Sequence, residues 1–157
     1  MGGRLAPEYA LAPKDVGLPY GRYPRLVLAY LTTEAVRRKG PDIELGSHFS
    51  HFCAALGIPP TTGPRGSLPQ LRDQLQRLFA STFQCIFHDE SQGRHAGDGF
   101  LIAEKRELWW DPRPRKGETA WGSHVVLSDR FYREATEAPV PLDLRVLRAL
   151  RSPFEID

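Results

Sequence analysis

The chain has 157 residues, 41% hydrophobic and 25% charged, the make-up of one soluble globular domain with or without short tails. Its 21 Lys and Arg against 19 Asp and Glu leave a net charge of +2, which excludes a histone-like basic protein and an acidic disordered tail. Two cysteines (Cys53 and Cys85) make no disulfide framework, and neither a secretory signal nor the roughly 18 apolar residues of a membrane span is present, so a reduced, cytoplasmic chain is expected.

The small net charge hides local surpluses. Residues 1–41 hold seven basic and three acidic side chains, a surplus of +4. Basic knots stand at Arg37-Arg38-Lys39, at Arg113, Arg115 and Lys116, and at Arg145, Arg148 and Arg151. A local patch of this kind is enough for nucleic-acid binding, although each knot also suits a solvated surface.

Residues 1–23 lack clean periodicity and carry Pro7, Pro13 and Pro19, so residues 1–17 read as an arm and Leu18-Pro19-Tyr20-Gly21 as a tight turn. Pro24 suits the first turn of a helix, Leu26, Val27, Tyr30, Leu31 and Val36 follow helical spacing, and Gly40-Pro41 stops that helix near Lys39. A short strand covers residues 42–45. Ser47 is the expected N-cap of a second helix with Phe49, Phe52, Cys53 and Leu56 inside and Gly57 as its stop. A loop spans residues 58–66.

Ser67 is the expected cap of a third helix over residues 67–81, with Leu68, Leu71, Leu75, Leu78 and Phe79 on its buried face. Gln70, Asp73, Gln76 and Arg77 point the other way, with Arg72 and Gln74 on the flanks. A hairpin follows: Phe83, Cys85 and Phe87 alternate with polar residues, residues 88–98 form a polar tip, and residues 100–110 return. A polar stretch over 111–119 leads to a strand over 121–127. Ser128 opens a helix, Val140-Pro141 breaks it, and residues 142–150 form a last helix with Leu142, Val146 and Leu150 on one side. Ser152-Pro153-Phe154-Glu155 is a capping box two residues from Asp157, so residues 152–157 read as the cut start of a linking helix.

Helix, short strand, helix, helix, hairpin is the order of a winged helix. The expected fold is therefore α+β, over residues 18–151, with a β-hairpin wing and additional C-terminal helices. Residues 67–81 would be the helix that enters the major groove, since a helix 10–12 Å wide fits there. The loop before it is longer than the tight turn of simple helix-turn-helix units.

Arg65, Gln70, Arg72, Gln74, Gln76 and Arg77 are the candidate DNA contacts on or beside that helix, because Arg and Gln match guanine and adenine edges. Thr61, Thr62 and Ser67 suit phosphate contacts, and equally a loop and a cap. Arg94, beside His95 at the expected wing tip, and Arg113, Arg115 and Lys116 on the next loop are candidate phosphate contacts. Arg145, Arg148 and Arg151 suit ion pairs or an interface. Of Trp109-Trp110, adjacent on a strand, at most one need be core.

Enzymatic readings fail on the residues. His48-x-x-His51-x-Cys53 lacks a fourth metal ligand, no phosphate loop is present, and Tyr20, Tyr23 and Tyr30 lack the metal and His setting of a nickase. No catalytic residue, metal or cofactor is expected.

Longer motifs carry a resemblance. Leu18-Pro19-Tyr20-Gly21 with residues 24–37 (PRLVLAYLTTEAVR), residues 71–79 (LRDQLQRLF), Leu108-Trp109-Trp110-Asp111-Pro112 and residues 139–150 (PVPLDLRVLRAL) together resemble the RepA family of plasmid replication initiators, over residues 18–157. The resemblance implies a protein that binds repeated sites in double-stranded plasmid origin DNA, starts replication and controls copy number. It further implies the N-terminal winged-helix part of such an initiator, a homodimer, and contact with host replication proteins, with no membrane. A dimerisation module with little DNA affinity of its own and a winged-helix transcriptional repressor stay open beside it.

Overall fold

The computed structural model describes residues 4–11, 13–46, 49–89, 91–108, 123–139 and 143–150. The element order is β1 (Arg4–Leu11), α1 (Arg22–Arg38), β2 (Asp42–Glu44), α2 (Phe49–Ala55), α3 (Ser67–Ala80), β3 (Thr82–Asp89), β4 (Arg94–Leu101), β5 (Ala103–Glu107), β6 (His124–Leu127), α4 (Asp129–Glu137) and α5 (Leu144–Ala149). The class is α+β, as expected.

The helices form where apolar residues recur at helical spacing. Leu26, Val27, Leu31 and Ala35 of α1, Phe52 and Cys53 of α2, and Leu71, Leu75, Leu78 and Phe79 of α3 are almost wholly buried in one core. Tyr30 of α1 meets Phe52 of α2 edge-on, with ring centroids 5.4 Å apart. The stop of α1 falls as expected: Lys39 takes a left-handed conformation (φ 54°) and its N–H still reaches Ala35 O. Gly57 ends the second helix in a Schellman motif, with Ile58 N–H on Cys53 O and its own N–H on Ala54 O. Its φ of 69° and the Arg148 side chain lying against it both call for glycine.

Two three-stranded antiparallel sheets stand beside the helices. One has the order β2-β6-β5, the other β1-β3-β4. In the first, Ile43 faces the core from β2, as do Val125 and Leu127 from β6. Helices α1, α2 and α3 with this sheet make a winged-helix-like arrangement, in which β5 and β6 are the hairpin arms.

That hairpin is not the one expected. The strands after α3 were expected as the wing, but β3 and β4 pair in full register from Thr82–Leu101 to Asp89–Arg94 and join β1 instead. Residues 4–11, read as part of an arm, are thus a sheet strand. Alternation identifies a strand but not its partner, which is why β3 and β4 were given to the wrong sheet, whereas residues 4–11 carry Pro7 and no clean alternation and so showed no strand. The expected return strand over 100–110 is broken in two. Leu101 ends β4, Ala103 begins β5, and the buried Ile102 lies between. Ser128 clamps the break: its Oγ donates to Leu101 O and its N–H to Ile102 O, while Oγ accepts from Phe131 N–H as the N-cap of α4.

The last helix is shorter than expected and turned. It is capped by Asp143, which accepts from Arg145 N–H at 2.9 Å. Leu147 is its buried residue, whereas Val146 is 56% exposed. Ser47, Trp109, Trp110, Arg151 and the capping box at 152–155 lie outside the described residues. Among the described residues, no helix is long and apolar enough to cross a membrane.

Candidate nucleic-acid interface

Helix α3 buries Leu68, Leu71, Leu75, Leu78 and Phe79, the face expected for it. Its outward side presents Pro69, Gln70, Arg72, Asp73 and Gln76. Two open grooves of about 320 Å³ each flank that side. Phe49, Thr62 and Gly63 form the far wall of one; Tyr20, Arg22 and Tyr23 form that of the other.

The start of α3 is built by the preceding loop. Helix starts leave backbone N–H groups without partners, and here Leu68 N–H bonds Thr61 O while Ser67 N–H bonds Thr61 Oγ1 at 2.8 Å. Ser67 is the first helical residue rather than the cap, and Gly66 takes the cap position. The Ser67 hydroxyl donates to Pro59 O and accepts from Thr61 N–H. Ser67 and Thr61 are therefore spent on each other, and Thr62 remains exposed beside them.

The candidate contacts on α3 separate into two groups. Arg65, Gln70, Arg72 and Gln76 are exposed, and Gln70 Nε2 donates to Arg65 O at 3.1 Å. Gln74 is the exception among the glutamines: it is 5% exposed, and its Oε1 accepts from Tyr20 N–H at 2.7 Å. Arg77 Nε donates to Asp73 Oδ2 at 2.8 Å, and the Arg77 guanidinium lies 5.4 Å from the Tyr20 ring centroid. The hydrogen bond to Asp73 raises the Arg77 pKa further. Gln74 and Arg77 thus fasten the Leu18-Pro19-Tyr20-Gly21 turn to α3 instead of pointing outward. The sequence held one signal for this. Gln74 is three residues after Leu71 and four before Leu78, inside the apolar stripe.

On the wing side, Glu104, Lys105, Arg106 and Glu107 of β5 are exposed. Arg106 reaches back to α3: Nη1 donates to Phe79 O at 3.1 Å, and the guanidinium sits 6.0 Å from the Phe79 ring centroid. That contact joins the wing strand to the end of α3. Tyr20, Asp73, Lys105 and Arg106 were not among the expected DNA contacts. Arg113, Arg115 and Lys116 lie outside the described residues, in the connection from β5 to β6 by their place in the chain.

Arg94 is exposed at the start of β4, opposite Asp89. It belongs to the sheet of β1 and β3, not to the β5–β6 hairpin. Arg145 is paired with Asp143 at 3.0 Å, and this bond holds the Asp143 carboxyl below its usual range. The Arg148 side chain lies along Gly57, and its carbonyl accepts from Arg22 Nη2 at 2.9 Å. His51 is exposed while Cys53 is wholly buried, with its thiol pushed up to about 11 by that burial, and His48 lies outside the described residues.

The sequence of residues 18–157 matches a family described as plasmid-encoded RepA proteins. The match is to the C-terminal part of that family, where the N-terminal part was expected. No curated protein matches the chain. Among solved structures, domains 2 and 3 of RctB are similar in fold, with a TM-score of 0.55 at 12% identity over 94% of this chain and 60% of that one. A selenomethionine form of the same two domains gives 0.54 at 12% identity over 90% and 57%. The chain therefore spans about three fifths of the structures that it matches.

Proposed function

The chain belongs to the plasmid-encoded RepA family of replication initiators, and on that premise we propose that it binds double-stranded plasmid origin DNA through α3 and the β5–β6 hairpin. The observation that supports this best is the arrangement of α3. Its inner face is sealed by five apolar side chains, while Gln70, Arg72, Asp73 and Gln76 stand outward between two grooves. An exposed helix with forked polar side chains can read base edges in the major groove. Lys105 on β5 and the basic residues of the β5–β6 connection meet the flanking phosphates. The chain acts by binding and not by catalysis, with host replication proteins as further partners.

The test is a titration of the chain against duplexes holding candidate origin repeats, over a salt series. Affinity should fall steeply with salt, as phosphate contacts release counterions. Arg72→Glu should weaken binding. Unchanged affinity in that variant would remove α3 from the interface.

Dimerisation is a second reading, favoured by β1. It is an edge strand of its sheet, and edge strands are ready templates for pairing with another chain. Sedimentation decides this reading: a dimer supports it, and a monomer at high concentration refutes it.

A further inference from the structure

Asp73 stands in the outward face of α3 and lines the grooves on both sides of it. Its internal bonds are one-sided. Arg77 Nε donates to Oδ2 at 2.8 Å, and Gln74 Nε2 donates to the same oxygen at 3.1 Å. Oδ1 receives neither bond, and the side chain is 46% exposed.

A carboxylate is an unfavourable charge to bring between phosphate chains, unless a cation travels with it. Arg77 is that cation, and the Tyr20 ring holds it in place. The acceptor is thus partly neutralised and oriented before DNA arrives.

We infer that Asp73 is a specificity-determining residue of α3, its Oδ1 accepting a hydrogen bond from the N4 amino group of a cytosine in the major groove. The inference rests on the proposed role of α3 in reading duplex DNA. The chemistry of the base edges selects the partner. In the major groove only cytosine N4 and adenine N6 donate, while guanine N7 and O6 and thymine O4 accept. Adenine also sets its N7 acceptor beside N6, where it meets a carboxylate with repulsion. Asp73 therefore discriminates as much by rejecting acceptor-bearing edges as by attracting cytosine.

Selection of bound duplexes from a randomised library, using the 157-residue chain, tests this. The wild type should enrich cytosine at one position by about tenfold. Asp73→Asn should lose that preference and gain adenine at the same position, since an amide donates as well as accepts. Asp73→Ala should lose the preference with no replacement. Arg77→Met, which removes the neutralising cation but keeps Oδ1, should bind duplexes more weakly overall yet still select cytosine there. A thermal scan of each variant identifies any that fail to fold.

Cytosine retained by both Asp73 variants would overturn the inference. So would an equal loss of discrimination at every position, the mark of a residue that only holds Arg77. If Arg72→Glu leaves duplex affinity unchanged, the reading role of α3 falls and the inference falls with it. If Arg72→Glu weakens binding while Asp73→Asn still selects cytosine, the base assignment alone falls.

Discussion

The backbone N–H of Tyr20 and the side-chain Oε1 of Gln74, 54 positions apart in the chain, share a hydrogen bond of 2.7 Å. It ties the turn before α1 to the side of α3, and Gln74 is 5% exposed as a result. Each partner would be left unsatisfied without the other, which makes the bond worth more to stability than an exposed one.

Gln74 and Gln76 should therefore separate stability from binding. Gln74→Ala is expected to cost about 1–3 kcal/mol, a fall in Tm of roughly 2–12 °C for a chain of this length. Gln76→Ala, at an exposed position, should move Tm by no more than about 2 °C and should weaken duplex binding. Thermal scans and a binding titration of the two variants check both halves. The reverse order would exchange their roles.

Glu34 makes the fold sensitive to acid. It is 7% exposed, and it accepts from Arg37 Nη2 at 2.6 Å and Arg38 Nε at 2.8 Å. Burial alone would raise its pKa, but the bonds from Arg37 and Arg38 outweigh burial and hold it below the ordinary glutamate value. A folded-state pKa below the unfolded one contributes stability above the unfolded value, about 4.3. That contribution disappears as pH falls through the lowered folded value. Glu34→Gln should cost about 1–3 kcal/mol at neutral pH, and its difference from the wild type should shrink toward acid. Urea denaturation at several pH values measures this, and a constant difference would contradict it.

Gly57 is required twice over. Its φ of 69° disfavours a side chain, and an added Cβ would come within 2.8 Å of Arg148 Cγ. Gly57→Ala should cost about 1–3 kcal/mol by chemical denaturation. Adding Arg148→Ala should relieve only the clash with Arg148 Cγ and Cδ, because Arg148 Cβ would stay 2.9 Å from the added Cβ, and should leave the backbone part. Full recovery in the double variant would show that the conformation itself costs nothing.

Lys105 and Arg106 are neighbours on β5 with different expected effects. Lys105→Ala should weaken duplex binding about equally for all sequences and lower the salt slope by about 1, as loss of a phosphate contact does. Arg106→Ala should lower stability by about 1 kcal/mol, because its guanidinium bonds Phe79 O. A salt titration of Lys105→Ala with no change in slope would remove β5 from the interface.

Much of the helical framework was legible. Leu68, Leu71, Leu75, Leu78 and Phe79 were expected inside and are buried. The stops at Lys39 and Gly57 and the cap at Ser128 were expected too. These features depend on residues a few positions apart, where helical period and capping chemistry act directly. The candidate site was less legible. Arg77 was read as outward and Gln74 as flanking, both as DNA contacts, because the turn at Tyr20 that engages them is remote in sequence. Val146 was expected on the apolar side of the last helix, but Leu147 is the residue that packs into the core.

Local sequence was enough for the long helices, the buried face of α3 and, through motifs spread along the chain, the family, but not for β1 or for the break between β4 and β5. The pairing of distant segments put β5 and β6, not β3 and β4, in one sheet with β2. Tertiary contacts alone showed that Gln74 and Arg77 belong to the scaffold while Asp73 stands between two grooves. The physical reason is range. Periodicity and capping are local, whereas strand partners and the exposure of a residue at the edge of an apolar stripe depend on which distant segment docks there.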